Sequence, residues 1–271
     1  YPSIRFSMLL ALITSLAIVA VVPLIPKMGF EQKLIAPVQD YMLITAFSTF
    51  GAYLHACLKE FLQAYEIVVF PNVVTFFCVF LNVVLNLTFV FGVGPIPSLG
   101  VIGLAIASLL VRYFMGFALL IYCFINMTFR NYKEKEYYQS MLKIGMPISL
   151  AVLVEFVAFN SIAILMGRVS GLYAAAQNLV CTLTTISFMV PFAISNAIAV
   201  KVGFANGSDN YEDLKKYSFF GTVLSVSFMI CSAIVFTSFA PHLVRIFTSD
   251  ASLVKIAVPI MYILSIFQVF D

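Results

Sequence analysis

The side chains with most capacity for chemistry in this sequence are a few charged and amide groups set inside long apolar runs. Glu155 is the clearest: it stands in Leu150-Ala151-Val152-Leu153-Val154-Glu155-Phe156-Val157-Ala158-Phe159, with no other charge in that stretch. Its helical neighbours Ile148, Ala151, Val152, Ala158 and Ile162 are apolar and partly small. A carboxylate so placed is a protonatable or cation-binding group, because little water is there to solvate its charge. The alternative is a carboxylate paired to a neighbouring helix for packing alone. Arg112 interrupts another apolar run and can either pair with a carboxylate across a bundle or snorkel into a water-filled cavity. Asp271 ends an apolar run and, by composition alone, reads as an interfacial carboxylate. Uncharged polar groups form stripes. Thr75, Asn82 and Asn86 share one helical face by their spacing, and Asn178, Thr182, Thr185 and Asn196 fall close to another. Such stripes either bond helix to helix or line a cavity.

Other chemistries lack their parts. There is no His-Glu-x-x-His, Gly-x-Ser-x-Gly or Walker loop, and His55 and His242 lie in different halves. The five cysteines (Cys57, Cys78, Cys123, Cys181, Cys231) have neither metal-ligand spacing nor an even count, so they read as inert thiols in apolar segments. A net charge of +3 with no dense basic patch points away from nucleic acid. The expectation is a protein that is not an enzyme and carries no cofactor.

The elements that must position these residues follow from composition. Hydrophobic residues make up 62% of the chain and charged residues 10%, against roughly 25% charge in a soluble domain. Apolar stretches of ~20 residues, enough to cross ~30 Å of hydrocarbon, recur along the chain. Backbone in lipid must satisfy its own hydrogen bonds, so these are helices, and the short alternating segments of a barrel are absent. Eight spans are expected, near 6–25, 38–58, 71–92, 100–127, 144–166, 173–200, 217–239 and 252–271. With Lys143 at the membrane face, Glu155 lies ~18 Å further along the helix, near the midplane. Pro147 and Pro191 fall within spans, and Pro191 is expected to free the carbonyl of Ser187 and kink its helix. No signal peptide is visible, and both ends read as cuts through a larger protein.

The connection Arg130-Asn131-Tyr132-Lys133-Glu134-Lys135-Glu136-Tyr137-Tyr138 divides the chain into two sets of four spans. It reads as an interfacial helix or as a solvated linker. The halves resemble each other weakly: Pro23-Leu24-Ile25-Pro26-Lys27 precedes an apolar segment from Tyr41, as Pro241-His242-Leu243-Val244-Arg245 precedes one from Met261. A duplicated bundle is a common transporter plan. Arg5, Lys59, Arg130, Lys133, Lys135, Lys143, Lys201, Lys215 and Lys216 share one side, against Lys27, Lys33, Arg168, Arg245 and Lys255 on the other. The first set is therefore expected in the cytoplasm. Single cysteines placed in the 128–143 and 203–216 loops should resist an impermeant reagent in intact cells; labelling of both would overturn this topology.

Several segments, in order, resemble the multidrug and toxic compound extrusion (MATE) family of transporters, especially its NorM-like branch. They are Phe61-Leu62-Gln63-Ala64 followed by Pro71; Leu81-Asn82-Val83-Val84-Leu85-Asn86 with Phe89-Val90-Phe91-Gly92; Pro97-Ser98-Leu99-Gly100 running on to Ser108; Lys143-Ile144-Gly145-Met146-Pro147; Tyr173-Ala174-Ala175-Ala176-Gln177; and Phe267-Gln268-Val269-Phe270-Asp271. The resemblance implies an all-α polytopic membrane protein whose eight or so spans are helices three to ten of a twelve-helix, two-lobe fold. It implies an N-terminal lobe at 1–130 (helices three to six) and a C-terminal lobe at 131–271 (helices seven to ten). It further implies a secondary antiporter, working as a monomer in the cytoplasmic membrane, that exports amphipathic and often cationic organic compounds in exchange for Na+ or H+. Glu155 and Asp271 match the carboxylates associated with coupling-cation binding, so Na+ at these two residues is an expectation of the resemblance. Asn82, Asn86, Arg112, Gln177, Asn178, Thr182 and Phe188 are the candidate cavity-lining residues. Phe188 departs from the tyrosine that some members hold there; it keeps a ring face for cation–π attraction and loses the hydroxyl.

Two rival functions make different demands. A lipid-linked saccharide flippase of the same superfamily needs several cavity cations for a diphosphate, and Arg112 alone qualifies. An intramembrane enzyme needs a nucleophile–base pair or a metal constellation, and neither is legible.

Overall fold

In the computed structural model the described residues are 2–28, 32–92, 97–127 and 134–269, and side chains are not considered at 28, 33, 34 and 134–137. The helices are α1 (Pro2–Val21), α2 (Gln32–Ala64), α3 (Val69–Phe91), α4 (Gly100–Asn126), α5 (Glu134–Val169), α6 (Gly171–Gly207), α7 (Tyr211–Phe247) and α8 (Ala251–Phe267), with a 3-10 segment at Val22–Met28 after α1. No strand occurs among the described residues. Seven helices are long and apolar enough to cross a membrane, and α8, at 17 residues, is a shorter apolar helix. The eighth expected span, 252–271, is thus helical only to Phe267, and its last two residues lie outside the described ones.

Several helices run past their expected ends. Helices α6 and α7 each hold 37 residues, or ~55 Å of helix against ~30 Å of hydrocarbon. Polar residues beyond the apolar run keep helical backbone because nothing in Lys201–Gly207 or Tyr211–Lys216 breaks it. The turn between them is reduced to residues 208–210, where Asn210 caps α7 by accepting from the Asp213 amide at 3.2 Å. Ser170 caps α6 in the same way, accepting from Leu172 at 3.2 Å. From Glu134 the charged connection is already helix and continuous with the fifth span, so its described part is neither a separate interfacial helix nor an unstructured linker. Pro191 is accommodated inside α6. The non-helical residue within a long helix is Phe239 (φ −116°, ψ 15°), two positions before Pro241, in α7. Proline there disfavours α backbone in the preceding chain and removes a helical hydrogen bond.

The chain forms two compact units, residues 1–142 and 143–271. In the first, α2 lies between α1 and α4, and α3 packs on α4. Leu54, Leu58 and Leu62 succeed one another at one-turn intervals on α2 and meet Leu119 and Cys123 of α4 in a closed core. Above that core the two helices approach closely through Gly51 and Gly116. Between α1 and α2 the contacts are polar: Ser7 Oγ donates to the Tyr53 carbonyl at 2.9 Å, and Thr14 and Tyr53 share a hydroxyl–hydroxyl bond of 3.0 Å. Small residues and hydroxyls hold helices together in lipid, where apolar side chains gain little by leaving the tails.

In the second unit α6, α7 and α8 pack mutually around Ala176, Val180, Leu183, Phe236, Ala240, Val244, Ala257 and Met261. Ser187 on α6 bonds Ser232 on α7, and Thr237 on α7 bonds Ser265 on α8 at 3.2 Å. The part of α5 in this unit is different. Residues 146–158 are all exposed, and a ring contact ties its next residue to α8: Phe159 meets Phe267 edge-on, with centroids 6.1 Å apart.

Candidate functional site

Three helices of the second unit each contribute one stripe to a pocket of about 280 Å³. Helix α5 supplies Glu155 and, one turn on, Phe159. Helix α6 supplies Cys181, Thr184, Thr185 and Phe188, which the helical repeat places on a single face. The end of α8 supplies Leu264, Phe267 and Gln268. Among the described residues no basic side chain lines this pocket. Glu155 makes no described hydrogen bond or ion pair, so its carboxylate is uncommitted on the pocket wall.

The remaining polar groups present oxygens whose protons are already used. Thr184 and Thr185 both donate to the Cys181 carbonyl, at 3.0 and 2.7 Å, which leaves their hydroxyl lone pairs as acceptors. Gln268 donates through Nε2 to the Thr184 carbonyl at 3.2 Å, and its Oε1 is left without a partner. Around these oxygens stand the rings of Phe159, Phe188 and Phe267. A carboxylate, spare oxygen lone pairs and aromatic faces all attract positive charge, the rings through their quadrupoles.

The sequence candidates are distributed unevenly about this site. Glu155 and Phe188 line it. Gln177, Asn178 and Thr182 are not among its lining residues: Gln177 is buried and donates to Cys181 Sγ at 3.3 Å, and Thr182 bonds back to the Asn178 carbonyl at 2.8 Å. Asp271 lies outside the described residues. Asn82, Asn86 and Arg112 belong to the first unit. There Asn86 Nδ2 donates to Asn82 Oδ1 at 2.9 Å, one turn away on the same face, and Asn86 Oδ1 is buried without a partner. Arg112, half-buried on α4, donates from Nη1 to Ser48 Oγ of α2 at 2.7 Å. Its described partner is therefore a neutral hydroxyl and not a carboxylate. The site residues that the sequence candidates do not include are Phe159, Cys181, Thr184, Leu264, Phe267 and Gln268. Phe159 alone had a usable signal, its one-turn spacing from Glu155. No group of three or more His, Cys, Asp or Glu that could hold a metal occurs among the described residues.

The fold is that of a multi-pass helical membrane protein, with a pocket in its second unit lined by a carboxylate, hydroxyl and amide groups and aromatic rings. The chain belongs to the MatE family, whose model matches residues 1–88 and 147–271. The multidrug resistance protein NorM of Aliivibrio fischeri is 25% identical over 275 residues, covering 97% of this chain. The probable multidrug resistance protein NorM of Mesorhizobium japonicum is 27% identical over 257 residues, covering 90% of this chain. The chain spans 60% and 55% of the length of these two relatives. Among solved structures, a Vibrio cholerae MATE transporter superposes with a TM-score of 0.88 at 16% identity, over 98% of this chain and 61% of that one. A eukaryotic MATE transporter gives 0.84 at 19% identity, over 100% of this chain and 61% of that one. At such identities the structures speak for the fold.

Proposed function

We propose that the full-length protein is a secondary antiporter of the cytoplasmic membrane. It exports amphipathic, often cationic, organic compounds in exchange for Na+ or H+. The observation that carries this reading is the pocket of the second unit, where an uncommitted Glu155 carboxylate shares the lining with aromatic rings and oxygen acceptors and, among the described residues, with no basic group. The names of the NorM relatives support the drug-export part. In this reading Glu155 is the main coupling carboxylate. Asp271, three residues beyond Gln268, is its partner, and Na+, where it is the coupling ion, binds between them.

The mechanism is competition for one negative charge. Glu155 neutralised by a proton or by Na+ favours one arrangement of the two lobes, 1–130 and 131–271, and organic cation favours the other. Each ligand moves that equilibrium only by its difference in affinity between the two arrangements. Exchange follows because the carboxylate is never left bare in the apolar interior, where an uncompensated charge is costly. The test is efflux of a cationic dye from proteoliposomes holding the full-length protein as a monomer, with an inward Na+ or H+ gradient imposed. Dye flux that rises with one of the two gradients is the expected result. Flux indifferent to both would overturn the reading.

A further inference from the structure

Another cavity of the second unit has a chemistry opposite to that of the Glu155 pocket. Where α7 ends and α8 begins, a cavity of about 470 Å³ is lined by Arg245, Thr248, Ser249, Ala251, Val254 and Lys255. Its two cations come from different helices, Arg245 from the last turn of α7 and Lys255 from the second turn of α8. Both are exposed, and neither makes a described hydrogen bond or ion pair. The hydroxyls are donors too. Thr248 Oγ1 accepts the Asp250 amide at 3.2 Å and keeps its own proton for another acceptor, and the Ser249 hydroxyl has no described partner. The acid of this turn, Asp250, is not on the lining, and its Oδ1 accepts the Ser252 amide at 2.8 Å. Arg245 is favoured by the negative end of α7, but Lys255 gains nothing from the positive end of α8, so local helix stability does not explain the pair. Two cations and two hydroxyl donors on one wall suit a phosphate, which takes charge-assisted bonds from such groups.

The surroundings of the cavity point to a phosphate that carries acyl chains. Ile246 and Phe247, next to Arg245, are exposed apolar side chains at the end of a helix long and apolar enough to cross a membrane. On α8, Pro259 and Ile263 follow Lys255 at one-turn intervals and are exposed as well, so an apolar stripe runs from the ammonium along the helix. A soluble anion has no use for that stripe, whereas hydrocarbon attached to a headgroup does. We propose that Arg245 and Lys255 clamp the headgroup phosphate of an anionic phospholipid such as phosphatidylglycerol, with an acyl chain along the exposed face of α8. In the topology expected from the sequence this end of the helices lies opposite the cytoplasm, so the lipid comes from the outer leaflet. Basic pockets at helix ends recognise acidic headgroups through the same charges. A zwitterionic headgroup offers the same phosphate but brings a quaternary ammonium close to two cations, which repel it. The inference is independent of the coupling reading, because this cavity shares no lining residue with the Glu155 pocket.

The test uses the full-length protein in neutral detergent micelles with two short-chain phospholipids that carry the same acyl-linked dye, one a phosphatidylglycerol and one a phosphatidylcholine. The unmodified protein should bind the phosphatidylglycerol tighter by roughly tenfold or more, the scale of one charge-assisted hydrogen bond. Arg245→Gln and Lys255→Gln should each weaken it several-fold, and the double variant should bring it down to the phosphatidylcholine level. Both side chains are exposed and without described partners, so these variants keep the fold. Arg168→Gln controls for charge in general: Arg168 is exposed in the last turn of α5, on the same expected side and off this lining, and its loss should leave both lipids unchanged. Equal binding of the two lipids by the unmodified protein would overturn the proposal without any variant. So would undiminished phosphatidylglycerol binding in the double variant, or a loss in Arg168→Gln as large as in Lys255→Gln. A further arm adds inorganic phosphate at constant ionic strength. The lipid should stay bound; its displacement would assign the cavity to a soluble phosphate and overturn the lipid assignment.

Discussion

Glu155→Gln should abolish ion-driven efflux by the full-length protein while leaving its membrane insertion and folding intact. The structure separates these two outcomes unusually well. Glu155 is exposed on α5 and makes no described hydrogen bond or ion pair, so glutamine of nearly the same shape forfeits no packing and no partner. What it loses is the ability to exchange a proton or Na+ for an organic cation. Glutamine is neutral and brings no uncompensated charge into the apolar segment, so insertion should not suffer. Gradient-dependent efflux from proteoliposomes is the readout, with retention volume in detergent as the control for folding. Asp271→Asn should weaken coupling too, and the double variant should be no worse than Glu155→Gln alone if both act at one site. Undiminished coupling in Glu155→Gln would leave Glu155 as an ordinary surface residue of α5 and remove the mechanism.

Gly103→Ala should destabilise the first unit by on the order of 1–3 kcal/mol, the cost of forcing volume into a closed contact. A Cβ on Gly103 would stand 2.5 Å from the Phe89 carbonyl oxygen and 2.6 Å from its carbon. These are backbone atoms of α3, which cannot swing aside as a side-chain tip can. Gly51→Ala should act similarly on the α2–α4 contact, where the new carbon would lie 2.8 Å from the Tyr113 nitrogen and 2.9 Å from the Arg112 carbonyl carbon. Pushing these helices apart also stretches the bond from Arg112 to Ser48, one turn from Gly51. Away from such contacts alanine is the better helix former, by about 1 kcal/mol over glycine. Gly203, whose Cβ would meet nothing within 4 Å, supplies the control: Gly203→Ala should be neutral or slightly stabilising. At Gly221 the obstacle is the flexible end of Ile198, so alanine there should cost less than at Gly103. Thermal unfolding in detergent orders the four variants. A Gly103→Ala protein as stable as Gly203→Ala would show that α3 and α4 do not approach as described.

Much of the architecture is legible from composition, because lipid imposes one rule on every segment that crosses it. An apolar run of ~20 residues must be a helix, and its position along the chain is a local property. The same rule singles out Glu155, since a lone carboxylate in such a run stands out against its surroundings. Helix ends are less legible. Hydropathy marks where a run leaves hydrocarbon, while α6 and α7 continue as helix through Lys201–Gly207 and from Tyr211 because helical hydrogen bonding does not stop at the membrane face.

The neighbours of Glu155 are a matter of tertiary structure. In a soluble helix the apolar stripe names the buried face, but these helices are apolar nearly all round, so periodicity does not tell which side meets protein and which meets lipid. Rotation and crossing of α6 put Thr184, Thr185 and Phe188 on the pocket wall with Glu155 and left Asn178 and Thr182 elsewhere, though all lie within eleven consecutive residues, 178–188. The same holds for Gln268. In the sequence it is one amide after a phenylalanine; in the structure the end of α8 sets it against the Thr184 carbonyl, 84 residues away, and only that contact fixes the direction of its unpaired oxygen.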